Sequence, residues 1–182
     1  ANGSGKSTLL KAICNQLPHT GECLLNGQRL EDLNIRRLAG RVSYIPQRSG
    51  ITLSVSVLDV VLMGFNPVLG LFRNPVQEQK KRAEEALAAA GLAGMQERDY
   101  QTLSEGEKQL CILARTMVED TELLLLDEPD SALDFHNRYY VLMKLRRLVQ
   151  EQKKTALVCL HDPGLALDIC DQLLLLKEGR CI

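Results

Sequence analysis

The stretch ANGSGKST at residues 1–8 governs how the rest of the chain is read. A phosphate-binding loop follows the pattern G-x-x-x-x-G-K-[ST]. Gly5, Lys6 and Ser7 supply its end, and the place of its first glycine falls one position before Ala1. A glycine-rich turn that opens a helix is an anion site, because unpaired backbone N–H groups and the positive end of the helix dipole face the same point. Asn2, Gly3, Ser4 and Gly5 would form such a cradle. Lys6 would reach the β- and γ-phosphates of a nucleotide, Ser7 would ligate Mg²⁺, and Thr8 would touch the α-phosphate. A Gly/Ser loop that only caps a helix is the competing reading, and the intact GKST weighs against it.

Outward from this loop, three short apolar runs follow: ELLLLDEP (122–129), TALVCLHD (155–162) and DQLLLLKEG (171–179). Each is continuous and closed by polar residues, as expected of parallel strands buried on both faces. A helical stretch, DFHNRYYVLMKLRRLVQEQKK (134–154), separates the first two. Strand, helix, strand, helix, strand is the α/β signature. Lys6 to about Gln16 has helical spacing, and Asn26-Gly27 inside ECLLNGQRL (22–30) signals a hairpin. RVSYIPQ (41–47) reads as a strand ended by Pro46. Residues 54–117 are mostly helical in pattern, with VQEQKKRAEEALAAAG (76–91) the clearest helix and Gly91 its stop.

In an α/β sheet, ligands sit beyond the carboxyl ends of the strands. LLLLDEPD puts Asp127 and Glu128 at such an end, Asp127 to hold Mg²⁺ and Glu128 to act as general base on the attacking water. His161 closes the strand LVCLH and would hydrogen-bond a γ-phosphate, and Gln47 ends SYIPQ, where it would meet the metal or the water. Taken alone, each has a bland alternative: a carboxylate pair opening a loop, a structural histidine, a loop glutamine. LSEGEKQ (103–109) has the spacing of a capping box, Ser104 with Glu107, so a helix starts there. Ser104 either just caps that helix or offers a second helix N-terminus to a phosphate, one that need not belong to the same chain.

Composition excludes other classes. The 182 residues carry 22 Lys+Arg against 23 Asp+Glu, net −1, with no basic stripe of the kind a general nucleic-acid binder needs. Lys80, Lys81 and Arg82 are followed by Glu84 and Glu85, a solvated helix face. The apolar runs are far short of a membrane span. The six cysteines (14, 23, 111, 159, 170, 181) show no C-x-x-C pair and no histidine partner at zinc-like spacing, and read as reduced thiols used as small hydrophobes.

Order and spacing bring these pieces together. GSGKST, Gln47 after a strand, LSEGEKQ, LLLLDEPD, SALD (131–134) and His161 resemble, over the whole chain, the motif series of ABC-type ATPases: Walker A, Q-loop, signature, Walker B, D-loop and switch histidine. The resemblance implies an α/β P-loop NTPase (RecA-like) core with a parallel sheet, at 1–47 and 118–182, and an inserted helical subdomain carrying the signature at 48–117. It implies ATP and Mg²⁺ as cofactors and a head-to-tail pair of ATPase subunits. Ser104, Gly106 and Asp134 of one subunit would then complete the site formed by Lys6 and Ser7 of the other. The catalytic set is Glu128, His161 and Gln47, and the metal set is Ser7, Gln47 and Asp127.

SVSVLDVVLMGFNPVLGLF (54–72) and CLHDPGLALDICDQLLLLKEGR (159–180) look like the ATPase subunits of iron-siderophore, haem and cobalamin importers. That likeness implies a permease facing Gln47 and the helices after it, an indirect link to a substrate-binding protein, no nucleic-acid partner, and a peripheral place on the cytoplasmic face of the membrane. Two departures accompany it. Glu105 and Glu107 stand where the family's signature commonly has glycine and glutamine, and Glu105 is expected to face away from the nucleotide. Relatives also extend further at both ends, so the resemblance implies a truncated domain, expected to be unstable and a poor ATPase by itself. The alternatives are a soluble ABC-type ATPase, disfavoured by the 98 positions from Lys6 to Ser104 and the absence of heptads, and a degenerate non-catalytic remnant.

Overall fold

Leu123–Asp127 (β4) is the central strand of the parallel sheet. In the computed structural model it pairs in parallel with Val42–Ile45 (β3) on one side and Thr155–Cys159 (β5) on the other, in the order β3-β4-β5. Leu124, Leu125 and Leu126 are buried, as the unbroken run of leucines requires of a central strand with both faces covered. Residues 3–47, 49–65, 75–131 and 133–182 are described, Phe135 by its backbone alone; Asn2 of the expected cradle and residues 66–72 of the importer-like stretch lie outside them.

Contacts divide the chain into two units. The first comprises Ala1–Gln47, Thr121–Pro129 and Lys154–Ile182. Here α1 (Lys6–Ile13) leaves the phosphate loop and buries Leu10, which joins Leu30, Leu38, Val42, Leu125 and Cys159 in one core. The hairpin β1 (Leu24–Leu25) and β2 (Gln28–Arg29) turns through Asn26 (φ 51) and Gly27 (φ 78), the two left-handed residues that a tight hairpin turn needs. Short α2 (Ile35–Ala39), capped by Asn34, leads into β3, and α7 (Pro163–Ile169), capped by Asp162 with Pro163 in its first turn, follows β5.

The second unit comprises Arg48–Asp120 and Asp130–Lys153. It is helical: α3 (Val57–Leu62) with a 3₁₀ turn at Met63–Phe65, α4 (Gln77–Ala90), a 3₁₀ turn at Tyr100–Thr102, α5 (Glu105–Val118) and α6 (Phe135–Glu151). Gly91 ends α4 in the left-handed conformation (φ 93). Gly64 lies so close to α5 that a Cβ there would sit 2.6 Å from the Arg115 carbonyl oxygen and 2.7 Å from Val118 Cγ2. By chain order α6 falls in the 118–182 segment, whereas by contact it goes with the helical unit, because it packs on α5.

One expectation is corrected. The run DQLLLLKEG does not form a third buried parallel strand: only Leu176–Lys177 (β6) is extended, pairing antiparallel with Arg180–Cys181 (β7). Leu173, Leu174 and Leu175 are about half exposed. The parallel ladder stops at β5, so among the described residues no parallel strand lies beside Leu173–Leu175; the Leu175 carbonyl accepts instead from the Ile182 N–H at 3.0 Å.

Candidate nucleotide site

The loop before α1 takes the shape that only glycine makes inexpensive. Gly3 (φ 79) and Gly5 (φ 97) are both left-handed, and nothing lies within 4 Å of where a Cβ would stand on Gly3. Gly5 is the residue before the first helical turn, so the free N–H groups of α1 open directly onto the loop. The Gly179 N–H donates to the Ser4 carbonyl at 3.0 Å, which fastens the buried Ser4 from behind.

Around this loop lies a cleft of about 350 Å³, lined by Gly3, Ser4, Gly5, Lys6, Ser7, Thr8, Gln47 and Glu128. Two contacts define its chemistry. The Ser7 hydroxyl donates to Asp127 Oδ1 at 2.8 Å, bringing together oxygens 120 positions apart in sequence. Glu128 receives two partners: Gln47 Nε2 donates to Oε2 at 2.9 Å, and His161 Nε2 lies 2.6 Å from Oε1. Glu128 is also left-handed (φ 51), a strained backbone for a non-glycine residue and one that concentrates at functional sites. Lys6 Nζ lies 3.5 Å from Ser4 Oγ.

Tyr44 is a participant that the sequence reading missed. From β3 its hydroxyl donates to Asp127 Oδ2 at 3.3 Å, so both oxygens of that buried carboxylate are engaged. Burial, with Asp127 alongside, pushes the Tyr44 phenol up to about 12 and keeps it a donor. Burial likewise pushes the Cys159 thiol, opposite Asp127 in the β4–β5 register, up to about 12, which leaves it inert. The only sign of Tyr44 in sequence is its place three residues before Gln47.

The second unit holds Ser104, Gly106 and Asp134. Ser104 caps α5: its hydroxyl accepts from Glu107 N–H, and Glu107 Oε2 accepts from Ser104 N–H at 2.7 Å. That hydrogen bond holds the Glu107 carboxyl below the usual carboxylate range. Glu105 pairs with Lys108 at 2.8 Å on an exposed side chain. A Cβ on Gly106 would meet only Asn137, at 3.6 Å, an ordinary contact. Asp134 caps α6, accepting from Asn137 N–H at 2.9 Å, and this holds its carboxyl low.

The family model described as ABC transporter matches residues 1–131. This chain belongs to the ABC transporter family. It is an ABC-type ATPase domain with the α/β P-loop fold. Over 99% of its length it is 37% identical to a hemin import ATP-binding protein of Bordetella bronchiseptica, of which it covers 71%. It is 32% identical to a petrobactin import ATP-binding protein of Bacillus anthracis, covering 99% of this chain and 66% of that one. An ATP-binding cassette solved as a dimer in a post-hydrolysis state, bound to ADP and Pi, superimposes with a TM-score of 0.81 at 28% identity, over 98% of this chain and 79% of that one. The ABC domain described here spans about two thirds of the length of the curated relatives it matches, from 63% to 71%. No helix among its described residues is long and apolar enough to cross a membrane.

Proposed function

We propose that this chain binds and hydrolyses ATP as the energy-supplying subunit of an ABC importer for an iron chelate or related tetrapyrrole, of the siderophore, haem or cobalamin type. One observation carries the catalytic part: Ser7 and Asp127, and Gln47, Glu128 and His161, converge at the mouth of a glycine cradle. The residues fit Mg²⁺, because Ser7 Oγ and Asp127 Oδ1 are hard oxygen donors 2.8 Å apart, close to the roughly 2.9 Å between adjacent ligands of an octahedral site. Bound there, Mg²⁺ would neutralise charge on the β- and γ-phosphates.

The chain's own groups do the rest. Backbone N–H groups of residues 3–8 bind the phosphates, with Lys6 adding a positive charge. Glu128 takes a proton from the attacking water. Gln47 and His161 fix the orientation of its carboxylate, and Tyr44 holds Asp127. Ser104, Gly106 and Asp134 act on the nucleotide of a second ATPase subunit, paired head-to-tail. Gln47 and the helices after it face a transmembrane permease, itself served by a substrate-binding protein. Such a subunit lies at the cytoplasmic face of the membrane. The proposed functional division is a core at 1–47 and 118–182 with a helical subdomain at 48–117. The hemin and petrobactin relatives favour the chelate class.

The test is Glu128→Gln in the protein at the length its host makes. Hydrolysis is expected to fall by about 10²-fold or more, while ATP traps a dimer visible by size-exclusion chromatography. Undiminished hydrolysis with no trapped dimer would remove Glu128 from the role of base.

A further inference from the structure

The six cysteines looked like small hydrophobes in the sequence, but one of them is not placed as such. His19, Cys23 and Glu31 converge outside the nucleotide cleft, their donor atoms all within 4.8 Å of one another. His19 belongs to the loop after α1, Cys23 immediately precedes β1, and Glu31 follows β2 by one residue beyond Leu30. The Leu30 N–H donates to the Cys23 carbonyl at 2.9 Å, which sets Glu31 beside Cys23 across the hairpin.

The polar arrangement needs a second proton or a metal ion between His19 and Glu31. His19 Nδ1 lies 3.2 Å from the Leu17 carbonyl, which can only accept, so that nitrogen carries the proton. In neutral imidazole this turns the Nε2 lone pair toward Glu31 Oε1, 3.1 Å away, acceptor against acceptor. A second proton or a metal ion must stand between them. Glu31 Oε2 is buried and has no hydrogen-bond partner. Glu31 Oε1 also accepts from the Cys23 N–H at 2.6 Å. An imidazole whose other N–H is fixed by a backbone carbonyl is the usual posture of a metal-ligating histidine. His19, Cys23 and Glu31 are all part-exposed, so an ion can enter.

We propose that His19 Nε2, Cys23 Sγ and a Glu31 carboxylate oxygen bind a Zn²⁺-like divalent cation, a site separate from the nucleotide cleft. Nitrogen, sulfur and oxygen together suit borderline-soft Zn²⁺ rather than Mg²⁺ or Ca²⁺. Donors around tetrahedral zinc stand about 3.3–3.6 Å apart, so the His19–Glu31 pair, at 3.1 Å, opens slightly and the Cys23 sulfur, within 4.8 Å of both, moves to that spacing. Binding exchanges two protons for the ion, one from the Cys23 thiol and one from between His19 and Glu31; water completes the coordination. The ion ties the loop after α1 to both arms of the β1–β2 hairpin.

The experiment uses the protein at its natural length, stripped with chelator and titrated with Zn²⁺ and, in parallel, Co²⁺. One equivalent of Zn²⁺ is expected, with a thiolate-to-Co²⁺ charge-transfer band in the Co²⁺ form. His19→Ala, Cys23→Ser and Glu31→Gln should each weaken binding about tenfold or more, with far-UV circular dichroism unchanged. Cys181→Ser, at an exposed cysteine, should bind as the parent does. No binding, a Co²⁺ form without the thiolate band, or ligand variants that all bind as tightly as the parent would overturn the site.

Discussion

Glu128 and Asp127 are neighbours with opposite surroundings. Asp127 is buried and held by Ser7 and Tyr44, whereas Glu128 sits at the cleft on a strained backbone between Gln47 and His161. The first arrangement fixes a ligand and the second aims a base. Tyr44→Phe removes one of the two donors to Asp127 and is expected to cost about 1 kcal/mol, read from the urea midpoint. If the midpoint does not move, the 3.3 Å contact contributes nothing to stability. Gly106 offers a cleaner functional test. A Cβ there makes only ordinary contact with Asn137, and alanine favours a helix over glycine by up to about 1 kcal/mol. Gly106→Ala should therefore keep or raise the melting temperature while lowering ATPase activity, because only a nucleotide brought by a second subunit would feel the methyl group. A stable variant with full activity would end the proposed role of Gly106.

At the scale of elements, the turn after α3 depends on Gly64. A methyl group there would overlap the α5 backbone at Arg115 and the Val118 side chain, and a backbone carbonyl cannot move aside cheaply. Gly64→Ala is expected to destabilise the helical unit by about 1–3 kcal/mol, measured by denaturant unfolding followed by far-UV circular dichroism. The caps work by hydrogen bonds from backbone N–H groups to carboxylate and hydroxyl oxygens. Ser104 and Glu107 cap each other at α5, and Asp134 caps α6. In an isolated chain the capping role and a role toward phosphate look alike at Ser104, which is why Gly106 discriminates better.

For the molecule as a whole, pH reports on these carboxylates together. Glu107, held by Ser104, Asp134, held by Asn137, Asp99, held by Ser54, and Glu122, held by Arg41, all have carboxyls depressed below their ordinary range. A group with a lowered folded-state pKa stabilises the fold above its unfolded value, and loses that contribution as pH falls through the folded value. As these carboxyls protonate, the melting temperature should therefore fall below about pH 4. A decline that begins near neutrality would point to other groups.

The fold class and most of the candidate site were legible in the chain because both rest on local rules: a glycine–lysine turn opening a helix, leucine runs closed by Asp-Glu or His-Asp, a Ser-x-x-Glu cap. Those patterns fixed Lys6, Ser7, Asp127, Glu128, His161 and Gln47 as candidates without coordinates. Other features depend on partners distant in sequence, which no local pattern announces. Tyr44 meets Asp127 only through the β3–β4 register. Leu173–Leu175 read as a buried strand, but burial depends on whether a neighbouring strand lies alongside, and there the described residues supply none. His19, Cys23 and Glu31 meet only because a hairpin folds Glu31 back beside Cys23. The sequence determined which groups can do chemistry, through residue type and short-range geometry; the tertiary structure decided which of them meet, because pairing across strands sets distances that spacing along the chain does not.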